Sequence, residues 1–263
     1  MGGPFPAGLL GRPLAGPAPA RQGEPAPAPA PQDAGAVLRQ LERDLDRAVD
    51  EWRKATVAAA ETARAAGGSM PAIPMTPPTG PFVERALQCA ADHAGTDAAV
   101  PFLVFVIEKA SRERDAVRRA LTTLRTDHAA SPAVRPLLGR LLGAYFHHAA
   151  ADEVTQLLDA VIEGNEDPDT RAAALLERGA LRLQLAADDE AARKVAADDV
   201  RKAQAATGDA ALRARAAEVL FEIEHLQVGC VAPDIVAKDV EGVEWKLSDH
   251  RGKVVLLDFW GFW

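Results

Sequence analysis

The sequence contains few cysteines and no closely spaced pair of them. Cys89 and Cys230 are the two cysteines among 263 residues, and they lie far apart in the chain. This spacing gives neither a Cys-x-x-Cys dithiol nor the cysteine and histidine pattern of a zinc site. Cys89 falls in a helical pattern and is predicted to be a small buried residue, whereas Cys230 lies in a loop-like segment. The sequence leaves open whether the two form a disulfide.

Charge and hydropathy exclude two further classes of protein. Asp and Glu outnumber Lys and Arg by 38 to 30, which gives a net charge of -8, and no basic stripe is present. Nucleic-acid binding is therefore not expected. No run of about 18 apolar residues occurs, so no membrane-spanning helix is expected. The sequence also has no glycine-rich phosphate loop, and no cofactor is predicted.

One group of polar side chains has the composition of a metal site. His147 and His148 are followed by Asp152 and Glu153, and imidazole and carboxylate groups are common metal ligands. Of these, His148 and Asp152 share a helix face, and no third ligand is evident. The sequence therefore favours a solvated helix edge over a metal site.

Proline and glycine divide the first part of the chain. Residues 1–35 hold nine of the 19 prolines, which predicts a disordered Pro/Ala-rich segment. A weak signal-peptide pattern there is interrupted by Arg12, and an export signal, a mis-assigned start and a plain linker all stay open. Residues 36–66 have apolar side chains at alternating spacings of three and four, which predicts a long helix packed against the chain rather than a dimer seam. Residues 67–81 are proline-rich and predict a loop.

Residues 82–227 have the periodicity of successive helices. Eight helices are predicted, starting near 81, 97, 114, 132, 150, 168, 189 and 209. Ser131-Pro132 and Asp167-Pro168 each place a capping residue before a proline, Thr96 and Asp209 are further caps, and Gly164-Asn165 is a stop signal. Taken in pairs the helices repeat every 33 to 39 residues or so, about the period of tetratricopeptide-type hairpins. Because the signature residues of that repeat are not convincing, the prediction is an α-helical hairpin repeat or bundle.

The pattern changes in residues 228–263, which hold three of the four tryptophans. Ile235–Asp239 and Val243–Leu247 alternate in hydropathy around Glu241-Gly242, which predicts a β-hairpin. A short turn is expected at Ser248-Asp249. The continuous aliphatic run Val254–Phe259 predicts a central strand buried on both faces. This change of period and composition predicts a separate module.

This segment carries a series of short motifs, namely Ala232-Pro233-Asp234 (A-P-D), Gly242, Arg251-Gly252-Lys253 (R-G-K), and Phe259-Trp260 with Trp263. In this order the motifs resemble the thioredoxin-like redoxin family, in its thiol-disulfide oxidoreductase branch, which is related to the alkyl hydroperoxide reductase and thiol-specific antioxidant domains. The resemblance implies that an F-W-x-x-W stretch leads to a Cys-x-x-Cys at a helix N-terminus, where the helix stabilises a thiolate. No residue of this chain matches either cysteine, so no catalytic residue is assigned. The family-motif residues are Ala232, Pro233, Asp234, Gly242, Arg251, Gly252 and Lys253, and the residues implied to flank the active site are Phe259, Trp260 and Trp263.

The resemblance sets the expectations for fold and function. We expect a mostly α protein, a helical-hairpin repeat or bundle, followed by the first β-hairpin and strand of a truncated thioredoxin-like α/β domain. The implied reaction is disulfide exchange with protein disulfide substrates or a thiol reductant, in the periplasm or cell envelope, with the cytoplasm left open. The dithiol is expected beyond the end of this chain, so the chain itself is predicted to be inactive. The alternatives are a non-catalytic helical scaffold that binds a protein partner and carries a vestigial redoxin segment, and a peroxiredoxin-type peroxidase.

Overall fold

The computed structural model describes residues 33–65, 76–148 and 150–261. The predicted mostly α fold with a C-terminal β-hairpin is confirmed. The predictions of disorder in 1–35 and of a loop in 67–81 fall largely on residues outside this description. The α-helices are α1 (Ala34–Ala65), α2 (Gly80–Asp92), α3 (Val100–Lys109), α4 (Arg114–Thr123), α5 (Arg135–Leu138), α6 (Leu141–His148), α7 (Ala151–Gly164), α8 (Pro168–Ala186), α9 (Glu190–Ala206) and α10 (Ala210–His225).

Shorter elements complete the description. Strands β1 (Val236–Lys238) and β2 (Glu244–Lys246) form an antiparallel pair. A π-helical turn, Leu124–His128, extends α4. None of the helices within the described ranges has the length and hydrophobicity that a membrane crossing requires. Single turns of 3-10 helix occur at Asp97–Ala99, Pro132–Val134 and Leu247–His250.

Side-chain caps begin several helices where the sequence predicts them. The Asp167 carboxylate accepts hydrogen bonds from the Thr170 amide at 2.8 Å and from its hydroxyl at 2.6 Å, which satisfies a donor that the helix leaves unpaired. Thr96 stands at the predicted N-cap position, before the 3-10 turn Asp97–Ala99, but its side chain makes no capping hydrogen bond. Its hydroxyl instead donates to the His93 carbonyl at 2.8 Å, because threonine can bond back to the preceding turn. Caps of the first kind also begin the helices after Ser131, Asp189 and Asp209.

The single helix predicted from residue 132 is divided in the structure. A 3-10 turn is followed by α5, a turn at Gly139-Arg140, and α6. The apolar periodicity continues across the break, which is why the sequence pattern predicts one helix. Pro136 has no N–H to donate, and Gly139 is a poor helix former. Pro136 lies in the first turn of α5, where a missing N–H is tolerated, whereas Gly139 is the C-cap residue at which α5 ends after four residues.

Two apolar cores lie along the helical region. The first extends from α2 to α8 and includes Leu41 and Leu45 of α1, so the N-terminal half of the long helix packs against it. Cys89 packs against this core but is half-buried, where the sequence predicts full burial. The second core lies between α8, α9 and α10 around Leu176 and Val200.

Helices α8 and α9 approach closely at a glycine. A methyl group on Gly179 would lie 2.5 Å from Cγ2 of Val200 and 2.9 Å from the Ala196 carbonyl oxygen. Real Cβ atoms do not make contacts this short, so the contact excludes every larger residue unless the helices move apart. The abundance of alanine in the chain is in keeping with such close helix packing.

A buried ion-pair network joins α7, α8 and α9. The Asp199 side chain is 3 % exposed and accepts hydrogen bonds from Nε and Nη2 of Arg178, both at 2.8 Å. Arg182 donates to the same carboxylate. The third guanidinium nitrogen of Arg178 donates to Asp159 at 2.6 Å. Arg178, with two hydrogen bonds, and Arg182, with one, thus hold a single carboxylate in the interior.

One arginine joins the starts of two helices. Arg135 of α5 donates to Asp209 at 2.8 Å and lies 3.6 Å from Asp167 and 3.7 Å from Asp169. Asp167 and Asp209 are the caps of α8 and α10. The first turns of both helices are therefore fixed to the same guanidinium group.

Candidate functional site

The β-hairpin is closed by an aspartate and a glycine. Oδ1 of Asp239 accepts hydrogen bonds from the amides of Glu241 at 3.1 Å and Val243 at 2.7 Å. Gly242 has a φ of 84°, in the left-handed region that other residues enter at a cost. Ala237 lies opposite Trp245 in the register. The E-G pair that predicts the hairpin thus supplies its turn.

The A-P-D motif is tied to the segment after the hairpin. Oδ1 of Asp234 accepts the Ser248 amide at 2.8 Å, and Oδ2 accepts its hydroxyl at 2.7 Å. The Leu247 amide donates to the Ile235 carbonyl at 2.9 Å and continues the strand pairing. Asp234 therefore has a structural role, since it ties the A-P-D motif to Ser248 after the hairpin. The pair is not evident from the sequence because the two residues are not neighbours in the chain.

The R-G-K motif forms a tight turn. Arg251 has a φ of -55° and a ψ of 139°, Gly252 has a φ of 85°, and the Lys253 amide donates to the His250 carbonyl at 3.1 Å. These values define a type II turn, whose third position requires glycine. The turn directs the chain from the 3-10 helix into the aliphatic run.

The aliphatic run has no regular secondary structure and is exposed, so the prediction of a buried strand is wrong for the described residues. No backbone hydrogen bond joins Val254–Phe259 to another described residue, and a strand requires such a neighbour. The exposed fractions nevertheless alternate, at 103 % for Val254, 43 % for Val255, 93 % for Leu256 and 42 % for Leu257. This period of two is that of a strand with one face partly covered.

The partly covered face borders a cleft of about 370 Å³. Val255 and Leu257 line one side, and His250 stands edge-on to Trp245 with ring centroids 6.4 Å apart. The structure thus brings the A-P-D and R-G-K motifs together around one cleft. No cysteine is among the residues that line it. The motif residues in the lining are Ala232, Pro233, Asp234, Arg251 and Lys253.

The remaining predicted site residues lie away from this cleft or outside the description. Phe259 and Trp260 are largely exposed at the end of the aliphatic run, and Trp263 lies outside the described residues. Gly242 is at the hairpin tip. Cys230 is an exposed free thiol that borders a different cleft beside α9 and α10. The described site can therefore present an apolar strand, but it holds no thiol for redox chemistry.

The histidine pair noted in the sequence is not assembled into a ligand set. His148 is buried, and burial lowers its pKa. Its Nδ1 has no hydrogen-bond partner. Over the described ranges, no three His, Cys, Asp or Glu residues are placed to hold a metal ion.

Titration of Asp234 tests the geometry of the A-P-D motif. The hydrogen bonds from the Ser248 hydroxyl and amide hold the pKa of Asp234 below its ordinary value of 3.8. Because the pKa of Asp234 is lowered in the folded chain, the contact is fully stabilising at pH values above the ordinary pKa. It is lost as the pH falls through the lowered pKa. We expect the Ser248 amide resonance in NMR spectra to titrate with a midpoint below 3.8.

The variant Asp234→Asn is expected to abolish that titration. The Val243 amide, which donates to Asp239 rather than to Asp234, serves as the internal control, and its resonance is expected to behave the same in the variant and in the unmodified chain. A Ser248 midpoint at or above 3.8 would contradict the hydrogen-bond assignment.

Comparison with known proteins supports a thioredoxin-like redoxin relationship for a short part of the chain. The similar proteins are thiol-disulfide oxidoreductases named ResA. That of Geobacillus thermodenitrificans is 58 % identical over 47 residues, which are 18 % of this chain and 27 % of the relative. That of Geobacillus kaustophilus is 58 % identical over 36 residues, 14 % and 21 % of the two chains.

A third relative, from Bacillus thuringiensis strain Al Hakam, is 48 % identical over 40 residues, 15 % of this chain and 23 % of the relative. The chain thus matches 27 % or less of the length of these curated relatives. No family model matches the chain, and no solved structure does.

Proposed function

We propose that the protein acts in thiol-disulfide exchange, as a redoxin with a helical region for positioning or partner binding. The observation that carries the proposal is the 58 % identity over 47 residues with a thiol-disulfide oxidoreductase. The cleft supports it, because the A-P-D and R-G-K residues make the contacts that shape the segment. Protein disulfides and a thiol reductant are the proposed partners, in the cell envelope, by analogy with the family that the segment resembles.

The helical region has its own core, which supports a positioning role. Within the described ranges, Ile223 is the last buried hydrophobic residue along the chain. The redoxin-like segment from residue 228 therefore adds nothing to the core that holds the helices together. Stability and redox function are thus proposed to belong to separate parts of the chain.

The proposal places the reactive dithiol outside these 263 residues. Cys89 is half-buried in α2, and burial raises the pKa of its thiol, which disfavours the reactive thiolate. Cys230 is exposed, but no second cysteine lies near it in sequence to resolve a mixed disulfide. Neither thiol has the environment that disulfide exchange needs.

A disulfide-reduction assay on the 263-residue chain gives the first test. Because no dithiol is present, we expect the same background rate for this chain and for its Cys89→Ser/Cys230→Ser variant. Turnover in the chain that the double variant lacks would show that these cysteines are the active ones, and the assignment of the dithiol would be wrong.

The second test uses the protein isolated from its natural host. Intact mass and peptide sequencing will show whether Cys-x-x-Cys follows Trp263, and replacement of its first cysteine by serine is then expected to abolish turnover. A native protein with no dithiol, or with turnover that survives the replacement, would overturn the proposal.

A groove in the helical region favours a second function, a scaffold that binds a protein partner. The groove has a volume of about 300 Å³ and lies between α1, α3 and α5. Leu38, Val104 and Phe105 contribute apolar surface, and an ion pair between Glu108 and Arg140 borders it. Apolar clefts with a polar rim are typical of binding sites. This function is the one supported if the native protein carries no dithiol.

A further inference from the structure

A buried carboxyl group lies between α8 and α10. Glu177 of α8 is 2 % exposed. Its Oε1 forms an ion pair with Nη2 of Arg215, on α10, at a distance of 2.7 Å. Its Oε2 is buried and has no hydrogen-bond partner. A buried ionised carboxylate needs more than one donor to offset its lost hydration. The site is therefore better suited to the neutral acid than to the anion.

Arg215, the ion-pair partner of Glu177, is partly exposed to solvent. Arg215 is 42 % exposed, and its guanidinium passes the α5–α6 turn, where a methyl group on Gly139 would lie 3.1 Å from Nη1. Separation of α10 from α8 would hydrate both members of the pair. The proton equilibrium of Glu177 is thereby coupled to the packing of α10.

Helix α10 is the weakly anchored member of the second core. It buries two of its 16 residues, Ala216 and Ile223, whereas α8 buries ten of 19. Its other contacts include partly exposed polar pairs, such as Arg201 with Glu224 at 2.9 Å. Elements with few buried apolar contacts open first, and α10 leads directly into the redoxin-like segment.

We propose that the Glu177–Arg215 contact makes the packing of α10 against α8 respond to pH. The carboxylic acid form of Glu177 favours the packed state, and the carboxylate form weakens it. Nothing in this inference depends on the redox function proposed above.

Other charged groups near α8 are engaged elsewhere. Among the described residues, Arg215 is the charged group whose interaction lowers the pKa of Glu177. On α6, His147 and His148 stand edge-on to one another. Ion pairs on the neighbouring elements include Arg135 with Asp209, Arg140 with Glu108, and Asp159 and Asp199 with Arg178.

The direction of the response follows from proton linkage. Burial raises the pKa of Glu177 from an ordinary 4.5 to about 7, against the opposing effect of Arg215. At pH values between the ordinary and the raised pKa, the packed state binds more protons than the open state. Packing of α10 against α8 therefore weakens as the pH rises through this range. At pH 8 the packed state is expected to be about tenfold less favoured than at pH 6.

Hydrogen exchange of the 263-residue chain tests the proposal. Protection of the α10 amides, corrected for the intrinsic exchange rate, is expected to fall about tenfold between pH 6 and pH 8. In Glu177→Gln this fall is expected to disappear. Glu224→Gln, which removes an exposed pair on the same helix, is the matched control and is expected to behave as the unmodified chain. The α9 amides provide an internal reference.

Unchanged α10 protection in the unmodified chain, or a fall that persists in Glu177→Gln, would overturn the proposal. If Glu177→Gln fails to fold, the carbon-13 resonance of the Glu177 carboxyl group in the unmodified chain decides. A midpoint near 7 supports the proposal, and one near the ordinary 4.5 overturns it.

Discussion

Replacing Asp199 by alanine is expected to lower the free energy of unfolding by about 3 kcal/mol. The carboxylate is the shared acceptor of Arg178 and Arg182 in the interior, and it raises the pKa of Arg178 further above its ordinary value. Without Asp199, the nearly buried Arg178 keeps one partner, Asp159, on one of its nitrogens. The loss comes chiefly from the charge left without its partner. Chemical denaturation followed by circular dichroism measures it.

Two further variants separate this cause from general damage to α9. Asp198→Ala, at the preceding position, removes an exposed partner of Arg201 and is expected to cost less than about 0.5 kcal/mol. Adding Arg178→Met to Asp199→Ala removes the unpaired charge and is expected to recover part of the loss. If the double variant is no more stable than the single one, an unpaired arginine is not the cause.

Gly179→Ala is expected to destabilise the protein by about 2 kcal/mol, even though alanine is the better helix former. The added methyl group meets Cγ2 of Val200 and the carbonyl oxygen of Ala196. The Val200 side chain can rotate away from the added methyl group. The Ala196 carbonyl oxygen belongs to the backbone and cannot move without separating α8 from α9. Thermal and denaturant unfolding should both show the loss.

Gly143→Ala is the matched control for this substitution. A methyl group on Gly143, within α6, would approach His147 no closer than 4.0 Å. The helix propensity of alanine is then unopposed, and a gain of up to about 1 kcal/mol is expected. Equal effects of the two substitutions would show that α8 and α9 do not approach as closely as described.

Features encoded over a few neighbouring residues were predictable from the sequence. The cap at Asp167 and the turn at Gly242 each depend on residues within one turn of the chain, so their residue types alone indicate them. The break at Gly139 was not predictable in this way. The apolar spacing continues through it, and periodicity measures which face is buried rather than whether the backbone is continuous.

Pairs that depend on distant parts of the chain were missed for a different reason. Asp199 and Glu177 lie among alanine-rich helix residues, and nothing local marks them as buried. Their partners are on other helices, so their burial is a result of packing. The sequence marks Asp234 as part of a motif but does not indicate its hydrogen bonds to Ser248. These bonds form because the hairpin brings the two residues together. Val254–Phe259 has the composition of a central strand, whereas strand formation also needs a neighbour.

The contacts of Arg135 have a consequence for the shape of the helical region. The offset between the starts of α8 and α10 is fixed by the reach of one guanidinium to Asp167 and Asp209, rather than by apolar packing alone. The relative position of these two helices is therefore set partly by polar groups, and a shorter side chain at position 135 is expected to change that offset while leaving the apolar core in place.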